Sequence, residues 1–237
     1  MRLATKSSRS ALISLCVGAC LLVGVPVGLA LSSSRINAGS LPGPPAGRSS
    51  GRVAGPVGRE HSTSLYPDPL AVVIPVRSAR LRDVDRQGQA GPKPVEVSVP
   101  AVDLRARVSS VGIAPPGGVV QVPSDVRMVG WYRFGPSPGQ PGSALLVGHV
   151  DSRVQGKGAF FSLARIRIGA AVWVRMDNGR VLRFRVVARR AYPKGRLPAR
   201  IFDRDGPSVV TLVTCGGSFD ARLRTYADNV VLFAVPA

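Results

Sequence analysis

Cys215 closes an apolar run, Ser208-Val209-Val210-Thr211-Leu212-Val213-Thr214-Cys215, that stops at Gly216-Gly217. Far upstream, a second apolar run, Ala144-Leu145-Leu146-Val147-Gly148-His149, ends in one of the two histidines of the 237-residue chain. A cysteine attacks a carbonyl only as its thiolate, so either its charge must be paired or a base must take its proton. An imidazole can do both and then return the proton to a leaving group. Thiol and imidazole at two strand tips therefore fit nucleophilic catalysis, provided the tips converge. Taken singly, each residue has a plainer reading. A cysteine in an apolar run is most often a small buried filler, and a histidine at a strand end is usually structural or solvated. The other histidine, His61, lies in a stretch poor in apolar residues and is read as inert.

The elements that would carry these tips begin at Pro94. Short apolar runs alternate with turn residues: Val95–Val99, Leu104–Val111, Val119–Gln121, Ala144–His149, Ala171–Met176, Leu182–Ala188, Val209–Cys215 and Tyr226–Val235. Between them stand Pro115-Pro116-Gly117-Gly118, Pro136–Gly142, Asp177-Asn178-Gly179 and Gly216-Gly217. Asp177-Asn178-Gly179 between two alternating runs is a strong hairpin signal. So many short strands with little helical periodicity predict a mostly β domain, a small and mainly antiparallel barrel or sandwich. Ala159–Ile166 is the one stretch that suits a short helix.

The sequence before this domain divides into three parts. Residues 1–10 carry Arg2, Lys6 and Arg9, and 11–32 are expected to form a transmembrane signal anchor around an uncharged, mostly apolar stretch, Ala11 to Leu31. That stretch is long enough to span a bilayer, and the preceding cations place the N-terminus inside. Two alternatives stand beside it. Gly28-Leu29-Ala30 suits a signal-peptide cleavage site, and Val17-Gly18-Ala19-Cys20 resembles a lipoprotein box, although the residues after Cys20 stay apolar. Cys16 and Cys20 are read here as small apolar residues. Residues 33–92 are Pro/Gly/Ser-rich, as in Leu41-Pro42-Gly43-Pro44-Pro45-Ala46-Gly47, and are expected to be a flexible extracellular linker. Within it Leu70–Val76 is apolar enough to serve as an edge strand or to pack on the domain. The remainder, 93–237, is the predicted catalytic domain. Outside the membrane it holds a single cysteine, which in an exported protein is either functional or a liability.

The formal net charge is +19, mostly arginine, since only Lys6, Lys93, Lys157 and Lys194 are lysines. Such a surface attracts polyanions. For an exported chain these are anionic wall polymers or lipid head groups, while the arginine bias also fits a GC-rich genome. Nucleic acid is not expected as a partner, because the chain lacks zinc-ligand clusters, a recognition helix and a basic strip interleaved with aromatics. Asp203, Asp205 and Asp220 are scattered, so no metal site is expected, and no phosphate-cradling loop or dinucleotide fingerprint suggests a cofactor.

Pro141-Gly142-Ser143-Ala144-Leu145-Leu146-Val147-Gly148-His149-Val150-Asp151-Ser152-Arg153 and Thr211-Leu212-Val213-Thr214-Cys215-Gly216-Gly217 together resemble the sortase family. Val129-Gly130-Trp131-Tyr132, then Gly135-Pro136, and Tyr226-Ala227-Asp228-Asn229-Val230-Val231 look like its actinobacterial class F branch. The resemblance runs from about Val95 to the C-terminus. It implies an eight-stranded sortase-type β-barrel with one or two short helices, carried on a membrane anchor with the domain outside the cell. The implied reaction is transpeptidation at a Leu-Pro-x-Thr-Gly-like sorting signal, cut between Thr and Gly through a thioacyl enzyme. The implied partners are signal-bearing exported proteins and an amine on a peptidoglycan precursor, with water as the fallback acceptor. By position, Cys215 matches the nucleophile and His149 the acid/base.

The family also places an arginine near the start of the strand that follows the cysteine loop, to hold the substrate carbonyl or its oxyanion. Tyr226–Ala234 has none. Arg224 is the nearest candidate and Arg222 the next, and either is equally readable as a solvated loop cation. Thr214 is a candidate for orienting substrate and Asp151 for positioning the histidine loop. An L,D-transpeptidase is disfavoured because its Ser/Thr-His-Gly-Cys block is absent. The reading from another class is a non-catalytic basic protein that binds or assembles wall material on a sortase-like barrel.

Overall fold

The computed structural model describes residues 36–43, 91–114 and 118–237, all within one unit, Leu31–Ala237. Residues 1–10, the 11–32 stretch read as an anchor and Leu70–Val76 lie outside them. Among the described residues no helix is long and apolar enough to cross a membrane.

Eight strands form the body: β1 (Pro94–Val99), β2 (Leu104–Val111), β3 (Val129–Tyr132), β4 (Ser143–Gly148), β5 (Ala171–Met176), β6 (Val181–Pro193), β7 (Val209–Asp220) and β8 (Thr225–Pro236). Their order is β6-β5-β1-β2-β3-β4-β7-β8, and β8 pairs with β6 to close the sheet into a barrel. Pairing is antiparallel except at β2–β3 and β4–β7, which run parallel. Among the described residues from Pro94 onward, helix is confined to short 3₁₀ turns at Pro100–Val102, Leu163–Arg165 and Ala199–Phe202. The helix expected over Ala159–Ile166 is thus only a three-residue turn in its second half.

Alternation builds the wall. In β5, Val172, Val174 and Met176 are buried while Ala171, Trp173 and Arg175 face out. A strand of period 2 with one apolar side must turn that side inward. The inner set, including Val97, Val99, Ala106, Leu146, Val174, Phe184, Leu212 and Leu232, fills the barrel. A second apolar layer covers the outside of β4, β7, β8 and β6. It contains Leu145, Val147, Val213, Cys215, Val231 and Phe233, overlain by Val111, Val120 and Ile201. Strands buried on both faces lose the alternating pattern, which is why β4 reads as a continuous apolar run.

Two expectations about the strands are corrected. Val119–Gln121 is no barrel strand; Val119–Val120 pairs only with Ile113–Ala114, in a separate ribbon. Its place in the barrel is taken by β3, whose four residues are all buried. The Gly216-Gly217 pair does not end β7, which continues through a bulge to Asp220. Gly217 sits at φ 79°, and a Cβ there would meet Asp228 Oδ2 at 2.4 Å, so the bulge requires glycine. By contrast Asp177-Asn178-Gly179 turns the β5–β6 hairpin as its sequence predicts.

Residues 36–43, inside the stretch read as flexible linker, lie along β6. Ala38 and Gly39 pair with Arg189 and Ala188, and Ile36 is buried with the barrel core. Arginine side chains hold the carbonyls of this strap. Arg189 donates to Ile36 O at 2.9 Å, Arg190 to Ala38 O and Gly39 O, and Arg200 to Pro42 O at 2.9 Å. A segment with few apolar residues of its own is ordered by donors that the domain supplies.

Candidate active site

The parallel β4–β7 ladder brings the two tips together. Leu146 stands beside Leu212 and Val147 beside Val213. Two residues further along each chain are His149 and Cys215. Between them, Thr214 Oγ1 donates to Gly148 O at 2.8 Å, which extends the match past the last ladder pair. The two side chains therefore rise from neighbouring chain ends, one strand spacing of about 4.8 Å apart. Cys215 is 3% exposed and His149 8%.

His149 Nε2 lies 2.9 Å from Pro123 O. A carbonyl only accepts, so Nε2 carries the hydrogen, and the neutral ring keeps its lone pair on Nδ1. Nδ1 is then the nitrogen available to take a thiol proton. The peptide around the ring is held as well: Phe160 N donates to His149 O at 3.0 Å. Gly158 passes so close that a Cβ there would meet His149 O at 2.3 Å.

Thr214 lies on the opposite face of β7 from Cys215, with its hydroxyl committed to Gly148 O. From there it fixes the backbone before His149, and it does not point toward the space above the thiol. Asp151 follows the histidine in a short ribbon, Asp151–Ser152 against Gly156–Lys157. It accepts a 2.6 Å bond from Tyr226 Oη, tying the histidine loop to the start of β8. Arg222 and Arg224 occupy the exposed β7–β8 turn, Arg224 with a left-handed backbone at φ 49°. Asn229 is the residue paired with Cys215 across the ladder. Arg224 stands five residues before it, roughly 16 Å of extended strand. The structure thus brings together Cys215, His149, Thr214 and the Asp151 loop, and sets both arginines at the far end of the hairpin.

Sequence reasoning missed Tyr226 and Asn229 as site residues. Tyr226 reads as an ordinary strand aromatic, and its ring does pack edge-on against Phe219 at 5.1 Å. Burial, then the bond to the Asp151 carboxylate and the charges of Asp151 and Cys215, push its hydroxyl up to about 12. A phenol raised from the ordinary value near 10 holds its proton longer folded than unfolded. Its contribution is whole below pH about 10 and is lost as pH rises from there through about 12. Thermal melts across that window should show the wild type losing stability, and Tyr226→Phe should flatten that part of the decline.

The family described as sortase domain matches residues 97–237. Among solved structures, sortase A from Corynebacterium diphtheriae superposes with TM-score 0.50 at 14% identity, over 71% of this chain and 76% of that one. Sortase A of Listeria monocytogenes gives 0.46 at 15% identity, over 61% of this chain and 87% of that one. Sortase C1 of GBS pilus island 1 gives 0.46 at 16% identity, over 60% of this chain and 63% of that one, so less than two thirds of its length is spanned. No curated protein matches. At 14% identity the likeness to the Corynebacterium diphtheriae structure speaks for the barrel alone.

Proposed function

The chain belongs to the sortase family, and on that premise we propose that it is a membrane-anchored class F cysteine transpeptidase acting outside the cell on a Leu-Pro-x-Thr-Gly-like sorting signal. The observation that supports this reading best is the pairing of tips: Cys215 and His149 on adjacent chain ends, with the ring fixed through Pro123 O so that Nδ1 is left for the moving proton.

The Cys215 thiolate attacks the carbonyl carbon of the signal threonine, forming a C–S bond and a tetrahedral oxyanion. Collapse breaks the Thr–Gly C–N bond, and imidazolium His149 gives its Nδ1 proton to the departing glycine amine. A thioacyl enzyme remains. An incoming amine of a peptidoglycan precursor then loses a proton to neutral His149 as its nitrogen attacks. Cleavage of the C–S bond releases the product and restores the thiolate. Water in the amine's place gives hydrolysis.

The class F assignment rests on Val129-Gly130-Trp131-Tyr132, Gly135-Pro136 and Tyr226–Val231. All three blocks have clear structural work, since buried Trp131 donates from Nε1 to Pro136 O at 3.1 Å and Tyr226 holds the Asp151 loop. The anchor reading rests on the uncharged 11–31 stretch behind Arg2, Lys6 and Arg9.

The test uses the full chain in detergent with fluorogenic peptides varied at the first and third signal positions. We expect cleavage between Thr and Gly of at least one peptide, and a ligated product when an amine is added. Absence of cleavage across the whole panel would overturn the proposal.

A further inference from the structure

Asn229 is fully buried, at 0% exposure, and both polar atoms of its side chain, Nδ2 and Oδ1, lack a hydrogen-bond partner. It lies directly opposite Cys215 in the β7–β8 ladder, and opposite Tyr192 in the β6–β8 ladder. Directly paired residues project to the same face with Cβ atoms about 5 Å apart. The faces are fixed by the neighbours: Val213 and Val231 pair two residues away in the same ladder, and both belong to the outer layer that contains Cys215. The amide therefore shares the covered space beside the thiol.

That placement costs stability without a visible structural return. Asparagine is a poor strand residue, and a buried amide with no partner loses its water bonds for nothing. Valine, as at position 231, would fill the same face at less cost. The amide is also well placed to meet a charge. Attack by Cys215 creates negative charge first on Sγ and then on the acyl oxygen. In a space closed to water a pre-placed donor counts for far more than on the surface. The arginines that might serve are in the exposed turn, five or more residues away along the strand.

We propose that Asn229 is the donor that stabilises the negative charge formed at Cys215, its Nδ2–H group serving the thiolate and then the acyl oxyanion. A neutral amide here fills the electrostatic role for which a cation is otherwise required. This rests on the reading of Cys215 as nucleophile. The titratable groups packed around the thiol are His149 from the β4 end, Tyr226 with Asp151 from the β8 start, and Tyr192 from β6.

The experiment compares wild type, Asn229→Ala and Asn229→Val in the full chain. It measures kcat and KM on a cleaved signal peptide, the pH dependence of Cys215 alkylation by iodoacetamide, and thermal stability. We expect kcat to fall on the order of 10²-fold with KM within about threefold, and the alkylation midpoint to move to higher pH. Asn229→Val should be at least as stable as wild type, so that activity and stability move in opposite directions. A purely structural residue would lower stability and leave the alkylation profile in place. Wild-type kcat and an unmoved midpoint in Asn229→Val would overturn the inference. Alkylation needs no substrate, so a wild type that cleaves no peptide defeats the functional reading and still leaves the midpoint shift to decide the role of Asn229.

Discussion

Cys215→Ala takes cleavage of a signal peptide down to the uncatalysed background, a loss on the order of 10⁴-fold or more in kcat. The size follows from the chemistry, because without the thiolate no acyl enzyme forms and no other described residue is placed to replace it. The substitution removes one sulfur from a site that is 3% exposed. The cavity left is small, and a stability cost of about 1 kcal/mol is expected. An unchanged circular dichroism spectrum and a melting point within a few degrees would assign the loss to chemistry. Cys215→Ser should be nearly as inactive, since a hydroxyl is far too basic to be ionised by an adjacent imidazolium. Cleavage by either variant above one hundredth of the wild-type rate would place the nucleophile elsewhere.

His149→Ala lowers kcat by at least about 10³-fold, toward the upper part of the range for general acid–base groups. Two tasks fall together: the imidazolium that pairs with the thiolate and the acid that protonates the leaving amine. Alkylation of Cys215 near neutral pH should slow in the same variant. Because the pair acts as a unit, Cys215→Ala with His149→Ala should be no worse than Cys215→Ala alone. The bond to Pro123 O offers a finer check. His149→Gln can keep a donor toward that carbonyl yet cannot cycle a proton, so it should be as inactive as alanine while better preserving the loop. Recovery of a tenth of wild-type activity by His149→Gln would mean that the ring orders the loop and transfers no proton.

The parts of the fold legible in the sequence are those with one wet face. In Leu104–Val111 and Ala171–Met176 solvent enforces alternation, and the boundaries read from the pattern match the strands. Strand β3 escaped because Val129–Tyr132 is buried on both sides and includes Gly130, where a Cβ would press on Val111 at 2.8 Å. Nothing in four residues without alternation separates such a strand from a loop. The strap at 36–43 was hidden for another reason: its order comes from Arg189, Arg190 and Arg200, more than 140 positions later.

Of the candidate site, the sequence made only the two strand tips legible. His149 and Cys215 stand out because each ends an apolar run, and ladder register brings the tips together. Arg224 is the arginine nearest to β8 in sequence, whereas what counts is the level in the β7–β8 ladder. By that measure Asn229, not a loop cation, faces the thiol. A polar amide between Asp228 and a run of valines was the one local sign, and its meaning depends on a partner fourteen residues away.

The most direct measurement is mass spectrometry of the full chain mixed with a signal peptide in the absence of amine and quenched early. The account predicts one added acyl fragment, ending at the signal threonine, mapped to Cys215, released by hydroxylamine and absent from Cys215→Ala. Peptide cleavage that proceeds without any adduct in a time-resolved series, or with the adduct on another residue, would contradict it.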